Sequence, residues 1–107
     1  MIEVKNNNIY ITRGDTCELT LKIYDGESIY TPTASDHIIF TVKQNPNNTN
    51  ILIEKEFASN KISIQRTDTI DLTFGEYFYD VRLENGSNYD TIITSGLFKI
   101  ERGTANG

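Results

Sequence analysis

Apolar residues recur at every second position along most of this chain, and this periodicity constrains the fold more than any other feature. Residues 16–24 are the clearest example, with one apolar face made of Cys17, Leu19, Leu21 and Ile23. Because successive side chains of a strand point to opposite faces of a sheet, this pattern predicts an amphipathic strand. The many β-branched Ile and Thr residues also favour strands. The sequence therefore predicts an all-β fold.

Further alternating segments follow at short spacing, separated by Asn, Gly, Asp and Pro clusters that are typical of turns. They span residues 2–4, 9–12, 37–43, 51–57, 61–65, 75–83 and 89–101. One helical turn is expected at 67–72, capped by Thr67 or Asp68, and Ser95-Gly96 predicts a bulge in the last strand. Seven to eight short strands are typical of an antiparallel two-sheet sandwich.

Composition limits the possible functions of the chain. Its 107 residues suit one domain, predicted to span 1–102, with 103–107 as a flexible tail. A net charge of −5 and scattered basic residues argue against a nucleic-acid partner. A single cysteine rules out an intrachain disulfide. The N-terminus lacks a signal-peptide pattern and no apolar run spans a bilayer, so we expect cytoplasmic synthesis and no membrane partner.

No group of residues forms a recognisable catalytic, metal or cofactor site, so the sequence predicts a protein that is not an enzyme and needs no cofactor. His37 is the only histidine. Its neighbours Ser35 and Asp36 are too close in sequence to form a triad, and a histidine at the surface start of a strand is expected. Cys17 lies on an apolar face and is expected to be a core residue without special reactivity.

Two charged motifs have simple structural interpretations. Arg13-Gly14-Asp15 matches a tripeptide that integrins bind, but glycine and aspartate at this spacing are also typical of a tight turn. The acidic residues Asp68, Asp71, Glu76 and Asp80 do not have the spacing of a calcium loop. We therefore expect a turn at 13–15 and no metal site.

Interface residues are expected on two strands. Phe78 lies on a polar face between Glu76 and Asp80, and an exposed aromatic in that setting often marks a contact surface. The segment 51–57 has a polar second half that is typical of an edge strand, so Ile51, Ile53 and Phe57 are further interface candidates. The six tyrosines and five phenylalanines leave a sugar-stacking platform as an alternative.

The segment Thr73-Phe74-Gly75-Glu76-Tyr77-Phe78-Tyr79 (73–79) resembles the entry to strand F of immunoglobulin domains. The resemblance implies that Gly75 opens the strand and that Tyr77 is the corner tyrosine, its hydroxyl bonded to backbone just upstream. Tyr79 and either Cys17 or Leu19 stand where those domains carry their disulfide, which is absent here. The resemblance therefore implies a sandwich of broadly immunoglobulin-like type rather than an antibody domain.

Four segments together resemble small structural proteins of tailed phages and prophages, including the N-terminal domains of upper baseplate proteins. They are Ile-Thr-Arg-Gly-Asp-Thr (11–16), Tyr-Asp-Gly (24–26), Ile-Ile-Phe-Thr-Val-Lys (38–43) and Gly-Glu-Tyr-Phe-Tyr-Asp-Val-Arg-Leu (75–83). The resemblance implies a baseplate, tail or capsid-decorating component that is assembled into a virion. Its partners would be other virion proteins or copies of itself. The alternative is a carbohydrate- or surface-binding module.

Overall fold

The computed structural model describes residues 2–5, 8–25, 28–45, 47, 50–86 and 88–102. The turn expected at Gly26 and the tail expected at 103–107 lie outside this part of the chain. In it the chain forms ten strands and one four-residue helix: β1 Ile2–Lys5, β2 Asn8–Thr12, β3 Cys17–Thr20, β4 Ile23–Asp25, β5 Ser28–Tyr30, β6 His37–Lys43, β7 Ile51–Glu56, β8 Lys61–Ile64, α1 Arg66–Thr69, β9 Gly75–Asn85 and β10 Asn88–Glu101. The prediction of an all-β fold is confirmed.

The largest sheet has six strands in the order β1-β2-β10-β9-β6-β7, and two-stranded sheets are formed by β3 with β8 and by β4 with β5. One prediction fails here, because the large sheet is mixed rather than antiparallel. Strand β2 runs parallel to β10, with Ile9 opposite Phe98 and Ile11 opposite Ile100. A parallel pair needs a long connection, and here most of the domain lies between the two strands.

Alternating residues of the six-stranded sheet and of the β3–β8 pair meet in one hydrophobic core. Alternate residues of β6, β8 and β9 are buried: Ile38, Phe40, Val42, Ile62, Ile64, Tyr77, Tyr79, Val81 and Leu83. Ile9, Ile11, Phe98 and Ile100 join them from β2 and β10. The ring of Phe40 lies near the centre, 5.3 Å from the Tyr79 ring centroid and 6.1 Å from that of Phe98. A single core therefore joins the large sheet to the β3–β8 pair.

The long strand expected at 16–24 is divided into β3 and β4. Leu21 lies between the two strands, and its backbone N–H donates to the carbonyl oxygen of Asn60 at 2.8 Å. Cys17, Leu19 and Leu21 pack against the core but are only partly buried, so Cys17 lies at the margin of the core rather than inside it. The reason is that β3 belongs to a sheet of two strands, which covers less of the core. The side chain of Ile23 lies outside the described part of the structure.

The helical turn α1 begins earlier than expected. Gln65 is the N-cap residue, and Asp68 occupies the third helical position instead of the cap. The Asp68 carboxylate accepts a hydrogen bond from the Gln65 backbone N–H at 2.7 Å. This satisfies an N–H at the helix start that lacks an intrahelical acceptor.

Strand β10 is irregular where the sequence predicts a bulge. Its register against β9 shifts between Thr91 and Ile93 and again between Ile93 and Gly96. Regular pairing resumes from Gly96 to Ile100. The irregularity at Ser95-Gly96 is therefore confirmed.

Candidate functional site

The residues of the predicted corner lie between α1 and β9. Gly75 has a φ of 140°, a backbone conformation that favours glycine. Tyr77 is 2% exposed, and its hydroxyl donates to the carbonyl oxygen of Thr73 at 2.9 Å. The Tyr77 hydroxyl also lies 3.0 Å from the Thr73 hydroxyl. The Tyr77 side chain thus links the loop that precedes β9 to the core.

Strand β7 forms one edge of the six-stranded sheet and carries exposed apolar side chains. Ile51 is 49% exposed and Leu52 is 38% exposed, and these are the exposed large hydrophobic residues of the described chain. Ile51 is therefore available as the interface residue that the sequence predicts. Leu52 was not among the predicted residues, because nothing in the run Ile-Leu-Ile (51–53) distinguishes an inward from an outward side chain.

Two other predicted interface residues of this segment are less accessible than Ile51. Ile53 is 4% exposed and belongs to the core, where it faces inward opposite Val42 of β6. Phe57 is partly buried against the core, and its backbone N–H donates to the Ile38 carbonyl oxygen at 2.8 Å. The burial of Ile53 on the inward face of β7 corrects the prediction for that residue, whereas the role of Phe57 stays a prediction.

A β-bulge explains why two adjacent apolar residues of β7 are exposed. The register of β7 against β6 passes from Val42 opposite Ile53 to Lys43 opposite Ile51, which leaves Leu52 as an extra residue. A bulge breaks the alternation of side chains between the two faces. Glu54 and Glu56 follow and are exposed. The edge thus has an apolar half, Ile51 and Leu52, and a charged half.

Phe78 lies on the outer face of the large sheet, since its neighbours Tyr77 and Tyr79 point into the core. It is partly buried rather than exposed as predicted. Its cross-strand neighbours are Leu97 of β10 and Lys43 of β6. Lys43 also pairs with Ile51 of β7. A row of four paired residues, one each from β10, β9, β6 and β7, therefore connects Phe78 with the apolar half of β7.

His37 is exposed at the start of β6, as expected. Its Nδ1 atom lies 2.8 Å from Glu56 Oε2. This hydrogen bond, with the negative charge of Glu56, raises the pKa of His37 above its usual 6.5. The contact links β6 with the charged half of β7, and no serine or cysteine nucleophile bonds to the imidazole among the contacts of the described residues.

Asp36 is a strongly hydrogen-bonded carboxylate beside an open cleft. It accepts bonds from the Tyr30 hydroxyl, from the Thr33 backbone N–H at 2.9 Å and from the Asn85 side-chain amide at 2.8 Å. These donors, the Tyr30 hydroxyl above all, lower the pKa of Asp36 from 3.8 to about 2. The cleft has a volume of about 470 Å³, and Phe57 is the aromatic residue that lines it.

The acidic residues singled out in the sequence are dispersed. Asp68 pairs with Lys55 at 2.9 Å, and Asp80 lies 3.8 Å from Arg82. Over the described ranges, no group of three or more His, Cys, Asp or Glu side chains is placed to hold a metal ion. The thiol of Cys17 has a raised pKa because it is partly buried, which makes the reactive thiolate scarcer.

The Arg13-Gly14-Asp15 turn packs against the α1 end of the domain. The Gly14 N–H donates to the buried Thr69 hydroxyl at 2.8 Å, and the Arg13 Cζ atom lies 4.3 Å from the centroid of the Phe74 ring. An integrin ligand needs both charged side chains extended into solvent. The contact of Arg13 with Phe74 therefore favours the structural interpretation of this tripeptide.

Comparison with family models, with curated proteins and with solved structures finds no match for this chain. Among the residues that the structure describes, no helix has the length and apolar character needed to cross a membrane. The geometry above is therefore the basis for a functional proposal.

Proposed function

We propose that this chain is a non-catalytic interaction domain that contacts protein partners through strand β7. The observation that carries the proposal is the exposure of Ile51 and Leu52, 49% and 38%, at the edge of the six-stranded sheet. Edge strands offer unpaired backbone groups to a neighbouring chain, and exposed apolar side chains add buried area to such a contact. Glu54 and Glu56 supply a charged margin that restricts which partners fit.

The proposed fold is an immunoglobulin-like sandwich. Its first sheet is the six-stranded one, with β9 and β10 as the central strands, and its second sheet is the β3–β8 pair. Three observations support it. The two sheets share one core, α1 forms the corner before β9, and the hydroxyl of Tyr77 bonds to Thr73 at that corner. In this arrangement β6 and β7 extend the sheet beyond the corner strand, as extra edge strands do in variable-type domains. An experimental structure that places β3–β8 on a different side of the core would overturn this fold.

We propose further that the assembly is a phage or prophage virion, in which a domain of 12.2 kDa is used in many copies. Support for this step comes from the resemblance of residues 11–16, 24–26, 38–43 and 75–83 to phage structural proteins. The test is quantitative mass spectrometry of purified particles from an induced culture of the source strain. A fixed, multi-copy ratio of this chain to the major capsid protein is expected. Particles that lack the chain would contradict the virion proposal.

One observation favours a second candidate, a small carbohydrate-binding module. The cleft of about 470 Å³ places Phe57 near the carboxylate of Asp36, and aromatic rings and carboxylates are common sugar contacts. Against it, the Asp36 carboxylate already accepts three hydrogen bonds. A glycan-array screen with the purified domain separates the two candidates. Saturable binding that is lost in Phe57→Ala and kept in Leu52→Lys would favour the carbohydrate module.

A further inference from the structure

Three of the four arginines of the chain lie together at one end of the domain, although they are distant in sequence. The Cζ atoms of Arg13 and Arg102 lie 4.3 and 4.6 Å from the centroid of one ring, that of Phe74. The Nη1 atom of Arg66 lies 3.4 Å from the position that a Cβ atom on Gly14 would occupy. Phe74 and Gly14 thus bring the three guanidinium groups, the arginine cluster, to one surface.

The backbone that carries this cluster is well fixed. The Arg13 N–H donates to the Glu101 carbonyl oxygen at 3.0 Å, which ties the turn after β2 to the end of β10. The Gly14 N–H bonds to the hydroxyl of Thr69, a residue of α1 that is 0% exposed. Three distant segments are therefore held together, and the cluster is prepared for binding before any partner arrives.

Among the described residues, no ion pair involves any of the three arginines of the cluster. The fourth arginine, Arg82, does form ion pairs. Its Nε atom lies 3.8 Å from Asp80 Oδ1, and its Nη2 atom lies 4.0 Å from Glu84 Oε2. In addition, Arg13 Nε is buried without a hydrogen-bond partner. Neighbouring like charges repel each other, and binding of an anion relieves that repulsion.

We propose that the arginine cluster binds carboxylate side chains of a protein partner, as a second contact of the interaction domain proposed above, on which this assignment rests. The planar guanidinium fork of arginine fits a carboxylate with two parallel hydrogen bonds. Contact with the Phe74 ring orients two of the forks while leaving N–H donors at their edges.

The surroundings select carboxylate groups, which carry one charge each, over phosphate groups. Glu101 is exposed and directly precedes Arg102 in the chain, and the whole chain carries a net charge of −5. A nucleic acid or a phosphate dianion would meet more repulsion from these charges than a carboxylate does.

The test uses the ¹⁵N-labelled domain and an acetylated tetraglutamate peptide at low ionic strength, with the arginine Nε–Hε resonances as the readout. Saturable shifts are expected at the cluster, with Arg66 and Arg102 most affected because their side chains are exposed. The resonance of Arg82 is the internal control and is expected to stay unchanged. Added salt is expected to weaken the binding.

Matched variants separate a specific site from general attraction. Arg66→Gln and Arg102→Gln are each expected to weaken peptide binding by roughly tenfold, whereas Arg102→Lys keeps the charge but loses the fork and is expected to weaken it less. Leu52→Lys is expected to leave peptide binding unchanged, so failure of the β7 contact is distinguishable from failure of this site. Absence of saturable shifts, equal shifts at Arg82, or binding of inorganic phosphate without binding of the peptide would each overturn the proposal.

Discussion

The hydroxyl of Tyr77 donates to the carbonyl oxygen of Thr73 at 2.9 Å and closes the corner between helix α1 and strand β9. The ring of Tyr77 is buried in the core, so one side chain joins the loop to the hydrophobic interior. The same corner contains Phe74, against which two arginines of the cluster lie. The stability of this corner therefore bears on both the fold and the proposed second contact.

Removal of the corner hydroxyl tests its contribution to stability. Tyr77→Phe keeps the ring and loses the hydrogen bond, so the free energy of unfolding is expected to fall by about 1 kcal/mol. Tyr10→Phe is the matched control, because no hydrogen bond of the Tyr10 hydroxyl is found within the described residues. Urea denaturation of both variants measures the difference. Equal stability of the two variants would mean that the corner bond contributes nothing.

Gly14 is expected to tolerate substitution less well than Gly86. Both have a positive φ, 84° and 61°, so alanine costs about 1 kcal/mol at either position. At Gly14 the new Cβ would also lie 3.1 Å from Ile70 Cδ1, whereas nothing lies within 4 Å at Gly86. Gly14→Ala is therefore expected to destabilise the domain by about 1 kcal/mol more than Gly86→Ala, because of this overpacking. Thermal unfolding of the two variants compares them directly.

The His37–Glu56 pair predicts that the stability of the domain depends on pH near neutrality. Because the pKa of His37 is raised in the folded state, its stabilising contribution is complete below the unfolded pKa of 6.5 and is lost as the pH rises through the folded pKa. Glu56→Gln is expected to move the pKa of His37 back toward 6.5, and Glu84→Gln is expected to move it by a smaller amount, since Glu84 raises this pKa through its charge alone and is a lesser cause than Glu56. NMR titration of the imidazole measures both shifts. A pKa that does not respond to Glu56→Gln would rule out the pair in solution.

The lowered pKa of Asp36 predicts that the domain loses stability in acid, whereas the His37–Glu56 pair predicts a loss as the pH rises. Its pKa is lowered from 3.8 to about 2, so its contribution is present above the unfolded value and is lost as the pH falls through about 2. Tyr30→Phe removes the main donor and is expected to raise this pKa toward 3.8, with Tyr10→Phe as the control. The carboxyl carbon of Asp36, followed by NMR, reports the midpoint. An unchanged midpoint in Tyr30→Phe would assign the shift to the other donors.

Local periodicity accounts for the parts of the fold that the sequence predicts. The alternation in β6, β8 and β9 identifies their inward residues, and the Ser95-Gly96 irregularity identifies the bulge in β10, because both depend on neighbouring residues alone. The parallel pairing of β2 with β10 depends on segments nearly 90 residues apart, for which neither strand carries a local signal. The same holds for the arginine cluster, because Arg13 and Arg102 meet at Phe74 only in the assembled fold and Arg66 approaches Gly14 only there.

The different exposure of Ile51 and Ile53 on β7 has a related cause. Alternation alone places Ile51 and Ile53 on the same face, yet Ile51 is exposed and Ile53 is buried. The bulge at Leu52 separates them, and its position depends on how β7 pairs with β6. The apolar sequence Ile-Leu-Ile (51–53) by itself does not indicate how β7 pairs with β6.

The measurement that tests the central claim most directly is the incorporation of Leu52→Lys into purified particles, quantified by mass spectrometry against the major capsid protein. A lysine at this edge places a charge where the proposed contact buries an apolar side chain. Ser63→Lys, at an exposed position of β8, adds the same charge away from β7. The account predicts that Ser63→Lys is incorporated like the unaltered chain and that Leu52→Lys is lost. Equal incorporation of both variants would contradict a contact through β7.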